Sequence, residues 1–137
     1  FLWFGILASA GYIGAATALV ERLVGHPKVS DSVYTSAAAE LEAAIAGLEA
    51  VAAAMDSGER GADISARLLF CRIALRGALR RAVDAAVTAL GGIAFITDPD
   101  IAYLQSVVSA FAFHPPSIRE TESSLAAYHR GENFSLA

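Results

Sequence analysis

The sequence predicts an all-α fold: an up-and-down helical bundle of four main helices with a short C-terminal helix. Three observations predict it. Apolar residues recur at three- and four-residue steps, the spacing of one helical face. The chain is 55 % hydrophobic, and much of that share is alanine, the residue with the best intrinsic helix propensity. Valine and isoleucine are scattered rather than alternating, so no segment reads as a half-buried strand. A length of 137 residues is one ordinary domain. It is enough for a helical core without staples, and 1–137 reads as a single helical-bundle domain.

The first helix is expected from about Trp3 to Leu23, ending near Gly25. Gly25-His26-Pro27 is a helix stop, since glycine accepts the cap conformation and proline cannot continue the helix. Ser30 or Asp31 is placed to cap the second helix, which runs to about Met55. Its apolar stripe is Leu41, Ile45, Leu48, Val51 and Met55. The polar run Asp56 to Gly61 is a turn joining antiparallel helices. A third helix starts at Ala62 or Asp63 and reaches Leu90, with Leu68, Cys71, Leu75, Leu79, Val83, Ala86 and Leu90 on one side. Gly91-Gly92 ends it, and Ile93 to Thr97 is a short connector. Asp98 or Thr97 caps a fourth helix with Pro99 in its first turn, running to about Phe113. His114-Pro115-Pro116-Ser117 is a hard break. Ser117 followed by Glu120 is a capping-box pattern, so a fifth helix begins there and fades near Gly131. The tail from Glu132 to Ala137 is expected to be loose.

The formal charge of −4 argues against nucleic acid, which needs a positive surface. One cysteine, Cys71, cannot form an internal disulfide, which fits a reducing, cytoplasmic setting. No His/Cys cluster has metal-ligand spacing. Phe1 to Val20 carries no charge and has the length of a bilayer span. Ser9, Thr17, the many alanines and the lack of a preceding basic region favour a buried bundle helix instead. The chain opens on Phe1 rather than methionine, and it reads as one piece of something larger.

Three segments carry a family resemblance. Ala10-Gly11-Tyr12-Ile13-Gly14-Ala15-Ala16 with Ala18 to Arg22 looks like the opening helix of the C-terminal domain of acyl-CoA dehydrogenases. Asp84 to Phe95, with Gly91-Gly92 inside it, looks like that family's long helix and double-glycine turn. Leu104 to Arg119 looks like the helix and turn that carry its active-site base. The Phe113-His114-Pro115-Pro116-Ser117 version is similar to members from actinobacterial secondary metabolism. The resemblance covers nearly the whole chain. It implies an FAD-dependent oxidoreductase acting as an oligomer, with a flavoprotein subunit or further domains as partner. Its substrate would be an acyl-CoA or an acyl-carrier-protein thioester, with no nucleic acid involved. The bundle would form the oligomer interface and part of the FAD and acyl site. The alternative is a degenerate, non-catalytic paralogue serving as a structural subunit.

By the resemblance, Gly91 and Gly92 approach the FAD of a neighbouring subunit. The region before them reads Val87-Thr88-Ala89, where the family often has a glutamine. Arg22 stands where the family begins an Arg-x-x-Phe-Gly phosphate-binding run, but Leu23-Val24-Gly25 follows it here. The family's glutamate base falls at or beside His114, and a second location used by some members falls near Phe4. Neither position is a carboxylate. Imidazole can act as a base near neutral pH, or His114 is simply a loop residue packed on Pro115 and Pro116. Glu120 and Glu122 sit in the first turns of a helix, where acids suit the helix dipole.

Arg72, Arg76 and Arg80 form a four-residue-spaced stripe, with Arg67 and Arg81 nearby. They suit either an anion site or salt bridges to Glu40, Glu42 and Glu49, and the salt bridges are the favoured expectation. Phe1, Trp3, Phe4, Tyr12, Phe95, Phe111 and Phe113 suit an acyl pocket or a packed interface. Cys71 is expected to be buried and inert.

Overall fold

The computed structural model describes residues 1–135. The helices are α1 Leu2–Glu21, α2 Asp31–Asp56, α3 Ala62–Thr97, α4 Pro99–Ala110 and α5 Ile118–His129, with a single 3₁₀ turn at Phe111–Phe113 between α4 and α5. No strand occurs among the described residues. The all-α bundle follows the expectation closely. Ser30 caps α2, its hydroxyl accepting from the Val33 N–H at 3.3 Å. Asp98 caps α4 through the Asp100 N–H, with Pro99 behind it. Ser117 and Glu120 form both bonds of the capping box at the start of α5.

One element differs from the expectation. The segment Ile93 to Thr97 is helical rather than a connector. Gly91 adopts φ 85°, ψ 166°, a conformation open essentially only to glycine. The chain bends there and a short second helix begins directly, closed by the Thr97 hydroxyl donating to the Ile93 carbonyl at 2.8 Å. The double glycine is therefore a kink inside α3.

The α3 helix is the spine and packs against every other helix, while α1 touches α2, α3 and α4. Ala16, Ala82 and Ala86 are fully buried beside Leu19, Leu68 and Leu79. Alanines at these contacts let the helix backbones approach closely, and burying each leucine contributes about 1.5–3 kcal/mol. A smaller cluster of Ala66, Leu69 and Leu125, with Phe70, Ile73 and Tyr128 against it, ties α5 to the first half of α3.

The α1 helix is long and apolar enough to cross a membrane by length and composition, and 39 % of its most apolar window is buried within the bundle. Ile13, Ala16 and Leu19 face inward, whereas Phe4, Leu7, Gly11 and Gly14 are exposed. The expectation of a helix covered on most sides is thus met on its inner side alone. The outward residues recur at three- and four-residue steps, one continuous apolar stripe.

The charge pattern of α3 also departs from the expectation. Arg81, not the 72–76–80 stripe, reaches α2, with its Nε 2.6 Å and its Nη2 2.9 Å from the two carboxylate oxygens of Glu40. One residue along a helix is a rotation of about 100°, so Arg81 faces α2 while the stripe faces α4 and the 114–117 turn. Neither Glu42 nor Glu49 pairs with an arginine of that stripe.

Candidate functional site

Arg72 organises the most unusual chemistry in the chain. It is 6 % exposed, and among the described residues no carboxylate pairs with it. Its Nη1 donates to the Gly5 carbonyl at 3.2 Å, and its Nη2 lies 3.0 Å from His114 Nδ1. The same Nη2 is 3.4 Å from the carbonyl oxygens of His114 and Pro115. The guanidinium also sits 5.1 Å from the centroid of the Phe111 ring. Burial pushes the Arg72 pKa below its ordinary value, partly offset by Tyr12 and Cys71. Arginine remains a cation regardless. Its charge is spread over backbone carbonyls, an imidazole and a π face instead of a counter-ion.

These contacts bear on the His114 tautomer. Nδ1 also lies 3.0 Å from the Pro115 carbonyl, so geometry alone allows Nδ1 to donate there. A guanidinium can only donate, so pairing of Nδ1 with Arg72 would place the ring proton on Nε2 and make the free edge of His114 an N–H donor. Phe4 stacks on the ring at 5.4 Å between centroids, and Tyr12 meets it edge-on at 5.7 Å. Tyr12 in turn stacks on Phe111 at 4.6 Å. Gly5 permits this approach of α1 to α3, since a Cβ there would lie 3.0 Å from Leu68 Cδ2 and 3.6 Å from Arg72 Nη1.

The two positions singled out for a base, Phe4 and His114, are thus neighbours across α1 and the 114–117 turn. Sequence reasoning missed Arg72 as the residue that joins them. Its signal was present: Arg72 lies four residues after Leu68 and three before Leu75, both buried, so a charge occupies a core position of the stripe. Glu120 is spent on its capping box, where the Ser117 N–H holds its carboxyl below the ordinary value. Glu122 is exposed. Of the aromatics, Phe111 is buried and Tyr12 half-buried, whereas Phe113 is 84 % exposed. Cys71 is half-buried, and burial pushes its thiol pKa up.

The residues singled out for a cofactor lie at the other end of the bundle. Gly91 and Gly92 border a cleft of about 380 Å³ with Val87, Thr88, Phe95 and Gln105. A Cβ on either glycine would meet nothing within 4 Å, so backbone is presented to open space. Ile93 and Ile96 beside them are each 82 % exposed. Arg22 pairs with Asp98 and, at 3.5 Å, with Asp100. Phe4 and Arg22 stand about 18 residues apart on α1 and the turn that follows it, roughly 27 Å at 1.5 Å per residue.

These surroundings test the fit to FAD. The open glycine cleft suits a flat, uncharged part of such a ligand approaching the backbone. Arg22 does not suit its pyrophosphate, because two carboxylates already neutralise that guanidinium. Among the described residues no group of three His, Cys, Asp or Glu side chains could hold a metal ion.

Compared with known proteins, the chain is 37 % identical over 131 residues to isobutylamine N-hydroxylase of Streptomyces viridifaciens. The match takes in 96 % of this chain and 35 % of that enzyme, so the chain spans about a third of the length of its curated relative. No family model matches the sequence, and no solved structure matches it.

Proposed function

We propose that this chain is the C-terminal helical bundle of a flavin-dependent oxidoreductase of the acyl-CoA dehydrogenase type that hydroxylates the nitrogen of a primary amine. The observation that carries the reading is the similarity to an amine N-hydroxylase along nearly the whole chain. The geometry supports nitrogen over carbon chemistry. Dehydrogenation of an acyl thioester needs a base to remove an α-proton. The expected base position holds His114, whose Nδ1 faces Arg72, a pairing that would leave the ring proton on Nε2.

The balanced reaction is a primary amine plus O₂ plus a reduced flavin giving a hydroxylamine, water and the oxidised flavin. A reduced flavin, when bound, supplies the two electrons that split O₂ into the inserted oxygen and water. Gly91 and Gly92, with Val87, Thr88 and Phe95, are the residues that would lie against it. The residues of this chain have simpler tasks. His114 Nε2–H donates a hydrogen bond to a substrate-side oxygen or nitrogen. Phe4, Tyr12 and Phe111 exclude water from one side of the site. Arg72 fixes the ring, and its positive charge disfavours an ammonium ion there. The neutral amine, which alone has the lone pair needed for oxygen transfer, is thereby selected.

The separation of the two regions supports a site shared between copies. Residues about 27 Å apart along one helix do not face one compact reacting centre. The exposed stripe Phe4, Leu7, Gly11 and Gly14 also leaves an apolar surface for other parts of such an assembly to cover. The test uses the flavoprotein that carries this bundle, assayed for hydroxylamine formation from alkylamines with reduced flavin and O₂. His114→Ala is expected to abolish hydroxylamine while O₂ consumption continues. Mixing inactive His114→Ala and Gly91→Val subunits of a dimer is expected to restore about a quarter of the activity, because mixed dimers regain one intact site. Oxidation of an acyl thioester without hydroxylamine formation refutes the reading.

A second reading is a structural subunit without its own turnover, and the neutralised Arg22 favours it. Unchanged activity of His114→Ala, with loss of partner stability when the chain is removed, would select it.

A further inference from the structure

Of the Arg72–Arg76–Arg80 stripe, the site just described accounts for Arg72 alone. The three residues follow at four-residue steps along α3 and look toward α4 and the 114–117 turn. Arg72 and Arg76 line one small cleft, with His114, Ser117 and Thr121. Arg76 and Arg80 line the adjoining one, a groove of about 280 Å³ walled by Asp84, Gln105, Val108 and Ser109. Arg76 belongs to both. It is half-buried, yet it makes no salt bridge and no side-chain hydrogen bond among the described residues. Arg80 has only Asp84, at 3.7 Å and with both side chains largely exposed. In the groove itself two guanidinium groups thus face one carboxylate, in a chain whose overall charge is −4.

From this arrangement we infer that the α3–α4 groove binds a phosphate-bearing small molecule, with Arg76 as its central anchor. Guanidinium forks match phosphate oxygens in paired hydrogen bonds. Two such forks one helical turn apart can hold a single phosphate or diphosphate group between them. Arg76 and Arg80 against Asp84 leave one net positive charge in the groove, enough to favour an anion there. Gln105 offers a neutral amide on the opposite wall, and the Ser109 hydroxyl, now donating to the Gln105 carbonyl at 2.8 Å, can turn to the ligand. Arg81 supplies the internal contrast. It is one residue away from the stripe but is satisfied by Glu40 on the α2 side, so it contributes charge without a site. The inference does not depend on the N-hydroxylase reading, because it needs neither flavin nor His114.

The test is titration of the full chain with inorganic phosphate and with pyrophosphate, followed by amide NMR and calorimetry at constant ionic strength. Shifts are expected to centre on α3 residues 76–84 and α4 residues 105–112. Arg76→Gln is expected to weaken binding at least about ten-fold, a change of about 1.4 kcal/mol, and Arg80→Gln to weaken it less. Arg81→Gln serves as the equal-charge control and should leave affinity unchanged. Circular dichroism of each variant separates loss of the site from loss of the fold, and Arg76→Lys, which keeps charge but not the fork, should recover only part of the affinity. Equal weakening by Arg76→Gln and Arg81→Gln would overturn the inference, since that is the response of general charge. So would no saturable binding of either anion, or binding of an acidic peptide in the groove with none of pyrophosphate.

Discussion

Replacing Arg72 with methionine removes the charge and keeps much of the volume. The structure sets the expected cost. Four acceptors lose a donor: the Gly5 carbonyl, His114 Nδ1, and the carbonyls of His114 and Pro115. Hydrogen bonds to a charged group contribute about 1.5–3 kcal/mol each, so a simple sum would predict unfolding. Two repairs stand against that sum. The Gly5 carbonyl keeps the Ser9 hydroxyl at 2.7 Å. His114 Nδ1 can take up the proton and donate to the Pro115 carbonyl already 3.0 Å away. The folded state also no longer buries a cation whose pKa burial depresses. The net loss is therefore about one hydrogen bond, roughly 1–2 kcal/mol, or about 3–8 °C in melting temperature for a domain of this size. The decisive assay is nitrogen NMR of the His114 ring. In the native chain, Nε2 should carry the proton, and in Arg72→Met the proton should move to Nδ1. A native ring already protonated on Nδ1 would refute the argument, as would an unchanged tautomer in the variant.

Three further predictions concern the start of α5 and the kink in α3. Ser117→Ala removes an N-cap and should cost about 1 kcal/mol, seen as faster amide exchange confined to α5. The same helix should loosen in acid. The folded-state pKa of Glu120 lies below its ordinary value of 4.5, so its contribution is present above that value and is lost as pH falls below it. Protection of the α5 amides relative to their intrinsic exchange rates that is flat from pH 6 down to about pH 3 would contradict this. Gly91→Ala places a side chain at φ 85° and should cost about 1–3 kcal/mol from backbone strain alone. Gly92→Ala, one residue on and without a positive φ, should be neutral or slightly stabilising by helix propensity. Equal urea midpoints for the two variants would sink the distinction.

The course of the helices was legible because it rests on local chemistry. Ser30, Asp98 and the Ser117–Glu120 pair each act on N–H groups two or three residues away, so their function is written in adjacent positions. Gly91 was legible as a break but not as a kink, because nothing local says whether a helix restarts after a glycine. The direction of Arg81 was not legible. Whether residue 80 or 81 faces α2 depends on the rotation of α3 against its neighbours, which is a property of packing. The proximity of Phe4 and His114 was not legible, since no periodicity connects positions 110 residues apart and the resemblance offered them only as two separate places for a base. Arg72 was legible as a member of the basic stripe, and its place among apolar residues marks it as buried, but its partners could not be read.

Arg72 also explains why its surroundings hold together. A buried cation without a carboxylate is costly unless its donors are all used. Here every available acceptor comes from a point where two elements meet: Gly5 on α1, His114 and Pro115 on the turn after α4, and the Phe111 face at the end of α4. One side chain on α3 thereby sets the spacing of three elements and the orientation of the ring between them. A glutamate at position 114 would have formed a direct ion pair with Arg72 and been held as a carboxylate. A histidine that accepts the same hydrogen bond needs no negative charge to do so and would turn an N–H outward, so at that turn an imidazole presents a donor where a carboxylate would present an acceptor.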